Sequence, residues 1–527
     1  MANTPATAAR PKDTNHGSSQ ATEYLVTGRV RLKASTPRAP RAMPDVTRSG
    51  AVTLSLALMN EDNAEQGVIR LLRAAVHGVG PGGRLPSVRQ IMAELRVSPV
   101  TVQHAMRRLT AEGVIEVRAS RGAYAAARKP ATEVPDLEWQ SVALGEKPPG
   151  DESLRDLMAV PAPELVPMSG GYLDQELQPV AALGAALGRV SRRPDSWARG
   201  LVEGREELRA WFAREAGGAF RAGDMVVCPG GQSALSTAFR ALTGSGDAVL
   251  VEAPTYLGAI ATARSAGLRV VPVPADADGV RPDLLAAAFE RTGAKVFYCQ
   301  PLYANPHGAV LSRKRRPEVL AVLAKFGAFL IEDDFARDLV IEGSVPPPLA
   351  TDDVHGHVIY LRSLTKSAAP GLRVAAIGAR GAAGARLRSA RVMDDFFVAG
   401  PLQLAALEFL SSPAWQRHLT ALRPALKARR DAMLTALAAE LPRFRPVTIP
   451  QGGMQAWVRL PDGVDDVELT AAAAAHGVVV SAGRPWYAAD PPAPHLRLTF
   501  AGAPPEVLTD GVRRLAQAAR AVGIPPG

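Results

Sequence analysis

The chain has 527 residues, of which 47% are hydrophobic and 21% charged, and this composition predicts a globular protein with more than one domain. No apolar run reaches the length of about eighteen residues that a membrane span needs, and no apolar segment follows the first charges, so neither a membrane anchor nor a secretory signal is expected. The two cysteines, Cys228 and Cys299, are far apart in the sequence, which argues against a disulfide framework or a metal site and predicts a cytoplasmic protein.

The net charge of +10 is concentrated near the N-terminus. Residues 1–128 hold 18 Lys and Arg against 9 Asp and Glu, whereas the remaining 399 residues are almost neutral, with 43 against 42. A basic N-terminal region joined to a nearly neutral remainder indicates that the N-terminal region binds a polyanion such as nucleic acid. A solvated basic tail without a partner is the alternative that charge alone leaves open.

The first 59 residues are rich in Ala, Thr, Ser, Pro and Arg and lack sustained periodicity, which predicts a disordered basic extension. Residues 60–128 differ, because their apolar positions recur at helical spacing between clear start and stop signals. A first helix is expected to begin at Asn63, an N-cap residue, and to end at the glycine-rich segment 78–83.

Two short helices and a hairpin are predicted next. Ser87 is placed to cap a helix at Val88–Leu95, and Ser98, followed by proline, is placed to cap another at 99–112. The segment 113–124 combines apolar residues with a Ser-Arg-Gly turn, which is typical of a two-stranded hairpin. The order of these elements predicts a winged helix-turn-helix, in which the last helix offers side chains to DNA bases.

The polar residues of this block have the chemistry that DNA contacts require. Gln and Arg side chains bond base edges in pairs, whereas Ser and Arg at helix starts and at the hairpin tip contact phosphates. The residues predicted to contact double-stranded DNA are Arg84, Ser87, Arg89, Ser98, Thr101, Gln103, His104, Arg107, Arg108, Arg121 and Gly122.

The remainder of the chain has an α/β pattern. Residues 129–165 are Pro- and Glu-rich and aperiodic, which predicts a linker. From 166 to 527, apolar strand-like runs alternate with Ala-rich helices, which predicts a mainly parallel sheet with helices on both faces. Residues 415–527 are expected to form a smaller α+β lobe. The candidate strands lie at 225–228, 248–252, 269–273, 295–299, 328–332, 358–361, 374–378, 454–459, 478–480 and 496–500.

A lysine with phosphate-binding neighbours follows one of these strands. Lys366 lies five residues after the strand at 358–361, and Ser363, Thr365 and Arg373 surround it in the sequence. Hydroxyl and guanidinium groups are suitable donors to a phosphate, and a lysine beside them is a candidate for covalent attachment of a cofactor.

Other strand ends carry matching groups. Asp333 ends an apolar strand, at the edge of the sheet where ligands collect. Gly231, Gln232 and Ser233 lie between a strand and a helix, where bare backbone N–H groups and the helix N-terminus favour an anion.

Three further side chains complete the set. Tyr256 is predicted to stack on a planar ring, Asn305 to bond a ring hydroxyl, and Arg497 to hold the carboxylate of a substrate or effector. A reactive lysine, a carboxylate for a ring nitrogen, a phosphate cup and ring-clamping groups are what pyridoxal 5′-phosphate needs from a protein. The sequence therefore predicts this cofactor.

These patterns resemble two known families. Residues 60–128 resemble the GntR-type winged helix, most clearly over the run at 82–115, GGRLPSVRQIMAELRVSPVTVQHAMRRLTAEGVI. The candidate cofactor residues occur in an order that is typical of fold-type I aminotransferases: the glycine cup, the aromatic residue, Asn-Pro, Asp, Ser-x-x-Lys, Arg and a second Arg near the C-terminus. Together, residues 60–527 resemble the MocR subfamily of GntR regulators.

This resemblance implies a function. Pyridoxal 5′-phosphate would be held as an internal aldimine with Lys366, and an amine, an amino acid or the cofactor itself would change how the protein holds its operator. It also implies a head-to-tail homodimer, in which each DNA reader packs against the partner's large domain.

The sequence departs from the family pattern at three places. Phe335 stands where a tyrosine commonly bonds the ring hydroxyl, so efficient transamination is not expected. The cup has Gly230 and Gly231 where hydroxyl residues are frequent, and Thr365 replaces a serine before Lys366. Three hypotheses therefore stay open: a regulator with a sensing domain, an active aminotransferase carrying a DNA-binding module, and a DNA-binding protein whose large domain only dimerises.

Overall fold

The computed structural model of the protein forms two compact units, residues 1–140 and 141–527. The residues that it describes are 49–119, 121–127, 137–145 and 152–524, without the side chains of 49–63 and 152. Within these ranges every helix is too short or too polar to cross a lipid bilayer. The predicted extension lies outside the described residues up to residue 48, as do two stretches of the predicted linker, 129–136 and 146–151.

The first unit has the predicted helix-turn-helix and hairpin. Ser87 Oγ accepts a hydrogen bond from the Gln90 backbone N–H at 3.3 Å, and Gln90 Oε1 accepts one from the Ser87 backbone at 2.8 Å, so the second helix starts with a capping box. Ser98 caps the third helix in the same position. The elements are α1 Ser49–Val79, α2 Val88–Leu95, α3 Pro99–Ala111, β1 Ile115–Arg118 and β2 Gly122–Ala125.

The packing of the core of this unit determines which face of α3 is exposed to solvent. Val102, Ala105 and Leu109 are buried against Leu72 of α1 and Ile91 of α2. Since these positions recur at helical spacing, the polar residues between them face outward. The hairpin β1–β2 is antiparallel, as predicted.

The predicted start of the first helix at Asn63 is wrong. α1 begins at Ser49 and therefore includes the last part of the predicted extension. The reason lies in the sequence, because residues 51–62 contain no Gly or Pro and are rich in Ala and Leu, which favour helix.

The second unit is α/β, as predicted. Its strands are β3 Val166–Pro167, β4 Met225–Cys228, β5 Ala248–Ala253, β6 Arg269–Asp276, β7 Gly279–Val280, β8 Val296–Cys299, β9 Phe329–Asp333, β10 Val358–Ser363, β11 Ala375–Gly378, β12 Arg445–Pro446, β13 Gln455–Arg459, β14 Val478–Val479, β15 Ser481–Ala482 and β16 His495–Thr499. The helices that follow α3 are α4 Trp139–Leu144, α5 Glu152–Met158, α6 Val180–Val190, α7 Glu206–Ala216, α8 Gly231–Leu242, α9 Leu257–Ser265, α10 Pro282–Thr292, α11 Arg315–Phe326, α12 Leu349–Asp352, α13 Gly381–Asp395, α14 Gly400–Leu410, α15 Pro413–Glu440, α16 Asp466–Ala475 and α17 Pro505–Ala521.

The large sheet has the order β4-β11-β10-β9-β8-β5-β6-β7. The pairs from β10 to β6 are parallel, whereas β11 and β7 run antiparallel to their neighbours. Separate buried clusters cover its two faces, so the sheet is enclosed by helices on both sides. Consequently the carboxyl ends of β4, β5, β8, β9 and β10 meet at one edge.

A smaller lobe follows the large sheet. Its antiparallel sheet has the order β12-β13-β16-β15, and α15 and α17 pack together beside it. β14 pairs with β3 from the start of the unit, so the segment after residue 165 is attached to this lobe. The lobe brings β16, and with it Arg497, next to the carboxyl edge of the large sheet.

Candidate functional site

A cavity of about 820 Å³ lies at the carboxyl edge of the large sheet. Of the predicted cofactor and carboxylate residues, Ser233 alone does not line it, although Gln232 and Leu235 of the same helix do. The predicted residues that do line it are Gly231, Gln232, Tyr256, Asn305, Asp333, Ser363, Thr365, Lys366, Arg373 and Arg497.

Lys366 is the cavity's amine. Its Nζ donates a hydrogen bond to the Gly171 carbonyl at 2.8 Å and lies 3.9 Å from the centroid of the Tyr172 ring. The pKa of Lys366 is lowered to about 7, chiefly by burial and then by the cation Arg497, while Asp333 opposes these effects and Arg373 adds to them. A large fraction of this lysine is therefore neutral near pH 7, which is the form that attacks a carbonyl carbon.

Asp333 is the cavity's carboxylate. Its Oδ2 accepts hydrogen bonds from Tyr298 Oη at 2.6 Å and from Gln300 Nε2 at 2.9 Å. Burial raises the pKa of Asp333 above its ordinary value, and these two hydrogen bonds and the charge of Lys366 offset this rise only in part. The arrangement presents a carboxylate to the cavity and keeps one oxygen in a fixed orientation.

The parts played by Tyr298 and Gln300 were not predicted from the sequence. Both side chains lie at the end of β8, beside β9, and their spacing of two places them on the same side of the strand. Two polar residues two positions apart at the end of an apolar strand were the available signal.

The predicted phosphate cup has the geometry for an anion. Gly230 has φ of 111°, and a Cβ there would collide with the guanidinium of Arg373, so the close approach requires glycine. Arg373 also donates to the Pro229 carbonyl at 2.6 Å. The hydroxyls of Ser363 and Thr365 lie 2.9 Å apart. The N-terminus of α8 adds backbone N–H groups and the positive end of its dipole.

Gln232 has a different environment from the one predicted. Its Nε2 donates to Thr262 Oγ1 at 2.6 Å and to the Gly258 carbonyl at 3.2 Å, and its Oε1 accepts from Tyr256 Oη at 3.1 Å. The amide is thus engaged with protein groups, and its main effect is to orient the Tyr256 ring. Phosphate binding would depend on the backbone, Ser363 and Arg373.

Arg497 reaches the cavity from the smaller lobe. Its Nε donates to Asn305 Oδ1 at 2.8 Å, and its Nη1 donates to the Ser169 carbonyl at 2.7 Å. The guanidinium carbon lies 4.8 Å from the centroid of the Trp486 ring. Burial lowers the pKa of Arg497 to about 10, which leaves it cationic at neutral pH. Because Asn305 accepts through Oδ1, its amino group is left to donate to another partner.

Several other lining residues were missed. Tyr172 and Gly171 contact Lys366 from the segment after β3, where a Gly-Gly pair before an aromatic residue was the signal. Leu157 and Met158 of α5 also line the cavity. They lie in the segment that was predicted to be a linker, where no sequence pattern indicated a site residue. Phe335 also lines it, so a phenyl ring stands where the sequence analysis noted the missing hydroxyl.

The predicted DNA-contacting residues lie on α2 and α3, in the segments that directly precede these helices, and at the turn of the hairpin. All are exposed apart from Thr101, which is partly buried and contacts Ser98 through its hydroxyl at 2.9 Å. Arg108 Nε is paired with Glu112 Oε1 at 3.3 Å. In the described part of the chain Arg107 has no such partner.

Two family models match the chain. The model for aminotransferase class I and II matches residues 196–515, and the model for bacterial regulatory proteins of the gntR family matches residues 65–124.

The chain is also similar to curated proteins. It is 30% identical to the uncharacterized HTH-type transcriptional regulator YjiR of Escherichia coli, over 78% of this chain and 87% of that protein. It is 31% identical to 2-aminoadipate transaminase of Thermus thermophilus, over 69% of this chain and 93% of that protein.

A solved structure has a similar fold. LysN, the alpha-aminoadipate aminotransferase of Thermus thermophilus in complex with N-(5′-phosphopyridoxyl)-L-leucine, matches with a TM-score of 0.66 and 29% identity. The match covers 73% of this chain and 99% of that one.

Proposed function

The chain belongs to the aminotransferase class I and II family and joins this domain to a gntR-family reader, and we propose that the cavity of the large domain senses an amine, an amino acid or the cofactor itself. The protein is a DNA-binding transcriptional regulator of the MocR-type architecture. We place it in the cytoplasm, with operator DNA and a small effector as its partners.

Pyridoxal 5′-phosphate is the cofactor of this fold type, and the residues present fit it. When bound, it supplies an aldehyde that takes up primary amines and a ring that withdraws electrons. Lys366 would hold the aldehyde end, Asp333 would face the ring nitrogen, and the glycine cup with Ser363 and Arg373 would hold the phosphate. Asn305 is oriented by Arg497 so that its amino group is available to the ring hydroxyl.

One observation carries the proposal. Lys366, Asp333 and Arg497 line the same cavity although they come from separate parts of the sequence. The cavity therefore combines a nucleophilic amine, an anion and a cation, and with the cofactor bound these groups would hold an amino acid at its amino and carboxylate groups. This site is in the same chain as a DNA reader whose predicted base-contacting side chains are mostly exposed.

An active aminotransferase is the second candidate, because Lys366 and Arg497 are both present. Phe335 argues against it, since a phenyl ring cannot donate a hydrogen bond to the cofactor. The two candidates differ in turnover. A regulator exposed to an amino acid and a keto acid should stop after at most one turnover per site, whereas an aminotransferase would continue until its substrate is consumed.

We also propose that the protein is a head-to-tail homodimer. The large domain exposes an apolar patch that includes Trp197, Leu201 and Phe396. The patch is formed by two segments of the chain, one that holds Trp197 and Leu201 and one that holds Phe396. These segments pack against each other, because Gly200 contacts Phe397 and Gly400 lies against the Ser196 carbonyl. Patches of this kind mark surfaces that bind another protein.

The function is tested by measuring DNA affinity in two states of the protein. An operator is first selected from random duplexes with the purified protein. Its affinity is then measured with and without pyridoxal 5′-phosphate, and with a panel of amines and amino acids. The proposal requires that at least one of these ligands changes the affinity.

A further inference from the structure

We infer that the carbonyl of Gly171 and the ring of Tyr172 form a holding site for the amine of Lys366 when this amine is not bonded to the cofactor. By stabilising the released lysine, the holding site favours its replacement by the amine of an effector. The inference rests on the proposed function and deepens it, because it names residues that make this exchange favourable.

Two groups of one segment contact the amine. Lys366 Nζ donates a hydrogen bond to the Gly171 carbonyl at 2.8 Å and lies 3.9 Å from the centroid of the Tyr172 ring. A cation within about 6 Å of an aromatic face is attracted to it, most strongly where water is excluded. The backbone also comes close to the amine, since a Cβ at Gly171 would lie 3.4 Å from Nζ. Both contacts therefore favour the ammonium form of Lys366.

The segment that carries these two groups is fixed on both sides. Before it, the Gly170 carbonyl accepts a hydrogen bond from Nη1 of Arg497 at 3.3 Å. After it, the Asp174 backbone N–H donates to the Ala501 carbonyl at 2.7 Å. Because β16 and the residues that follow it hold the backbone in this way, the Tyr172 ring is positioned over Nζ by the smaller lobe.

The surroundings of Lys366 make its charge sensitive to such a contact. Burial is the main cause of its lowered pKa of about 7, Arg497 and Arg373 act in the same direction, and Asp333 opposes them. The phenol of Tyr256, whose own pKa is raised by burial, stays neutral at this pH. Since the pKa lies near neutrality, a contact that stabilises the ammonium changes the charged fraction of the released lysine directly.

The exchange itself requires no redox partner. The neutral amine of the effector forms a bond to the aldehyde carbon of the cofactor, the bond between this carbon and Nζ breaks, and the two N–H protons of the incoming amine pass to Nζ. Lys366 leaves as a neutral amine and takes one proton from water. The holding site binds the resulting ammonium and so draws the exchange toward the effector-bound protein.

Three variants of Tyr172 separate the ring from the rest of the side chain. Tyr172→Leu and Tyr172→Met remove the aromatic face but keep an apolar side chain, and their different shapes distinguish loss of the ring from a packing defect. Tyr172→Phe keeps the aromatic face and loses only the hydroxyl, so it is the matched control.

The first measurement uses the apoprotein. The rate at which pyridoxal 5′-phosphate attaches is followed by stopped-flow absorbance as a function of pH, and the midpoint reports the pKa of Lys366. Tyr172→Leu and Tyr172→Met should lower this midpoint by about one pH unit, whereas Tyr172→Phe should keep it. A wild-type midpoint in both ringless variants would overturn the inference. An equal shift in Tyr172→Phe would overturn it as well, because the hydroxyl would then be the cause.

The second measurement titrates cofactor-loaded protein with L-alanine and with methylamine, and follows the visible spectrum. Because the holding site acts on the ammonium, loss of the ring should raise the dissociation constants about fivefold at pH 6 and leave them almost unchanged at pH 8. A rise of equal size at both pH values would contradict the holding site. If the wild-type spectrum responds to no amine or amino acid, the sensing function is wrong, and the apoprotein midpoints alone decide whether the holding site exists.

Discussion

The phenol of Tyr298 donates a hydrogen bond of 2.6 Å to Oδ2 of Asp333. The side-chain amide of Gln300 donates to the same oxygen at 2.9 Å. Burial alone would favour the protonated acid, and these donors act in the opposite direction on the pKa of Asp333. Tyr298 in β8 and Gln300 directly after it therefore favour the charged form of Asp333, which is the form that a protonated ring nitrogen would need.

Tyr298→Phe should weaken cofactor binding about tenfold, because a hydrogen bond to a charged group contributes about 1.5 kcal/mol. The measurement is a titration of the apoprotein with pyridoxal 5′-phosphate. Tyr360→Phe is the matched control, since its hydroxyl bonds Asp334 at 2.7 Å rather than Asp333. An equal loss of affinity in both variants would contradict a specific effect on Asp333.

Cofactor attachment should depend on pH through Lys366. Its pKa is lowered to about 7, first by burial and then by Arg497. Since only the neutral amine reacts, the rate of attachment should rise about tenfold per pH unit below 7 and level off above it. Arg497→Gln removes a neighbouring cation, which raises the pKa and moves the midpoint to higher pH.

The control for this pH profile is Arg214→Gln, because Arg214 is exposed and does not line the cavity. This variant should keep the wild-type midpoint in stopped-flow absorbance measurements. A wild-type rate that keeps rising to pH 10, as for an ordinary lysine, would show that burial does not lower the pKa of Lys366.

The cavity residues that lie at strand ends could be predicted from the sequence. Lys366, Asp333 and the cup at Gly231 each follow an apolar run, and parallel strands necessarily bring their carboxyl ends together. Ser233 does not line the cavity although Gln232 and Leu235 of α8 do, and its predicted part in holding the phosphate stays a prediction. Tyr256 lines the cavity, and its orientation by Gln232 depends on a side-chain contact that no local sequence pattern indicates.

The remainder of the site arises from contacts between distant segments. Tyr172 reaches Lys366 across 194 positions, and Leu157 lies in a stretch whose composition indicates only a linker. Neither residue has a local pattern that distinguishes it from a surface side chain. Arg497 was predicted as a site residue because it is the late arginine in the order of motifs. Its contact with the Ser169 carbonyl could not be predicted in this way.

Arg107→Ala should weaken operator binding roughly tenfold to a hundredfold, because Arg107 is exposed on the face of α3 opposite the core. Arg108→Ala should have a smaller effect, since Arg108 already pairs with Glu112. Fluorescence anisotropy at several salt concentrations measures both, with Arg214→Ala as the unaffected control. An unchanged affinity in Arg107→Ala would remove this residue from the DNA-contacting surface.

Trp197→Glu should convert the proposed dimer to a monomer. Trp197 is 70% exposed within the apolar patch, and a charge there would be buried unpaired at the interface. Sedimentation velocity gives the mass directly. Val354→Glu changes a residue that is 78% exposed but lies in a different segment, and it should remain dimeric. A Trp197→Glu protein that sediments as a dimer would mean that another surface forms the interface.

The central claim is that ligand binding at Lys366 changes how the protein holds DNA. It is tested by the operator affinity of cofactor-loaded protein, measured with and without the amino acid that alters the cofactor spectrum. The account predicts a change of about fivefold or more in the wild-type protein and none in Lys366→Ala. An operator affinity that is the same in both conditions, or a response that Lys366→Ala retains in full, would contradict it.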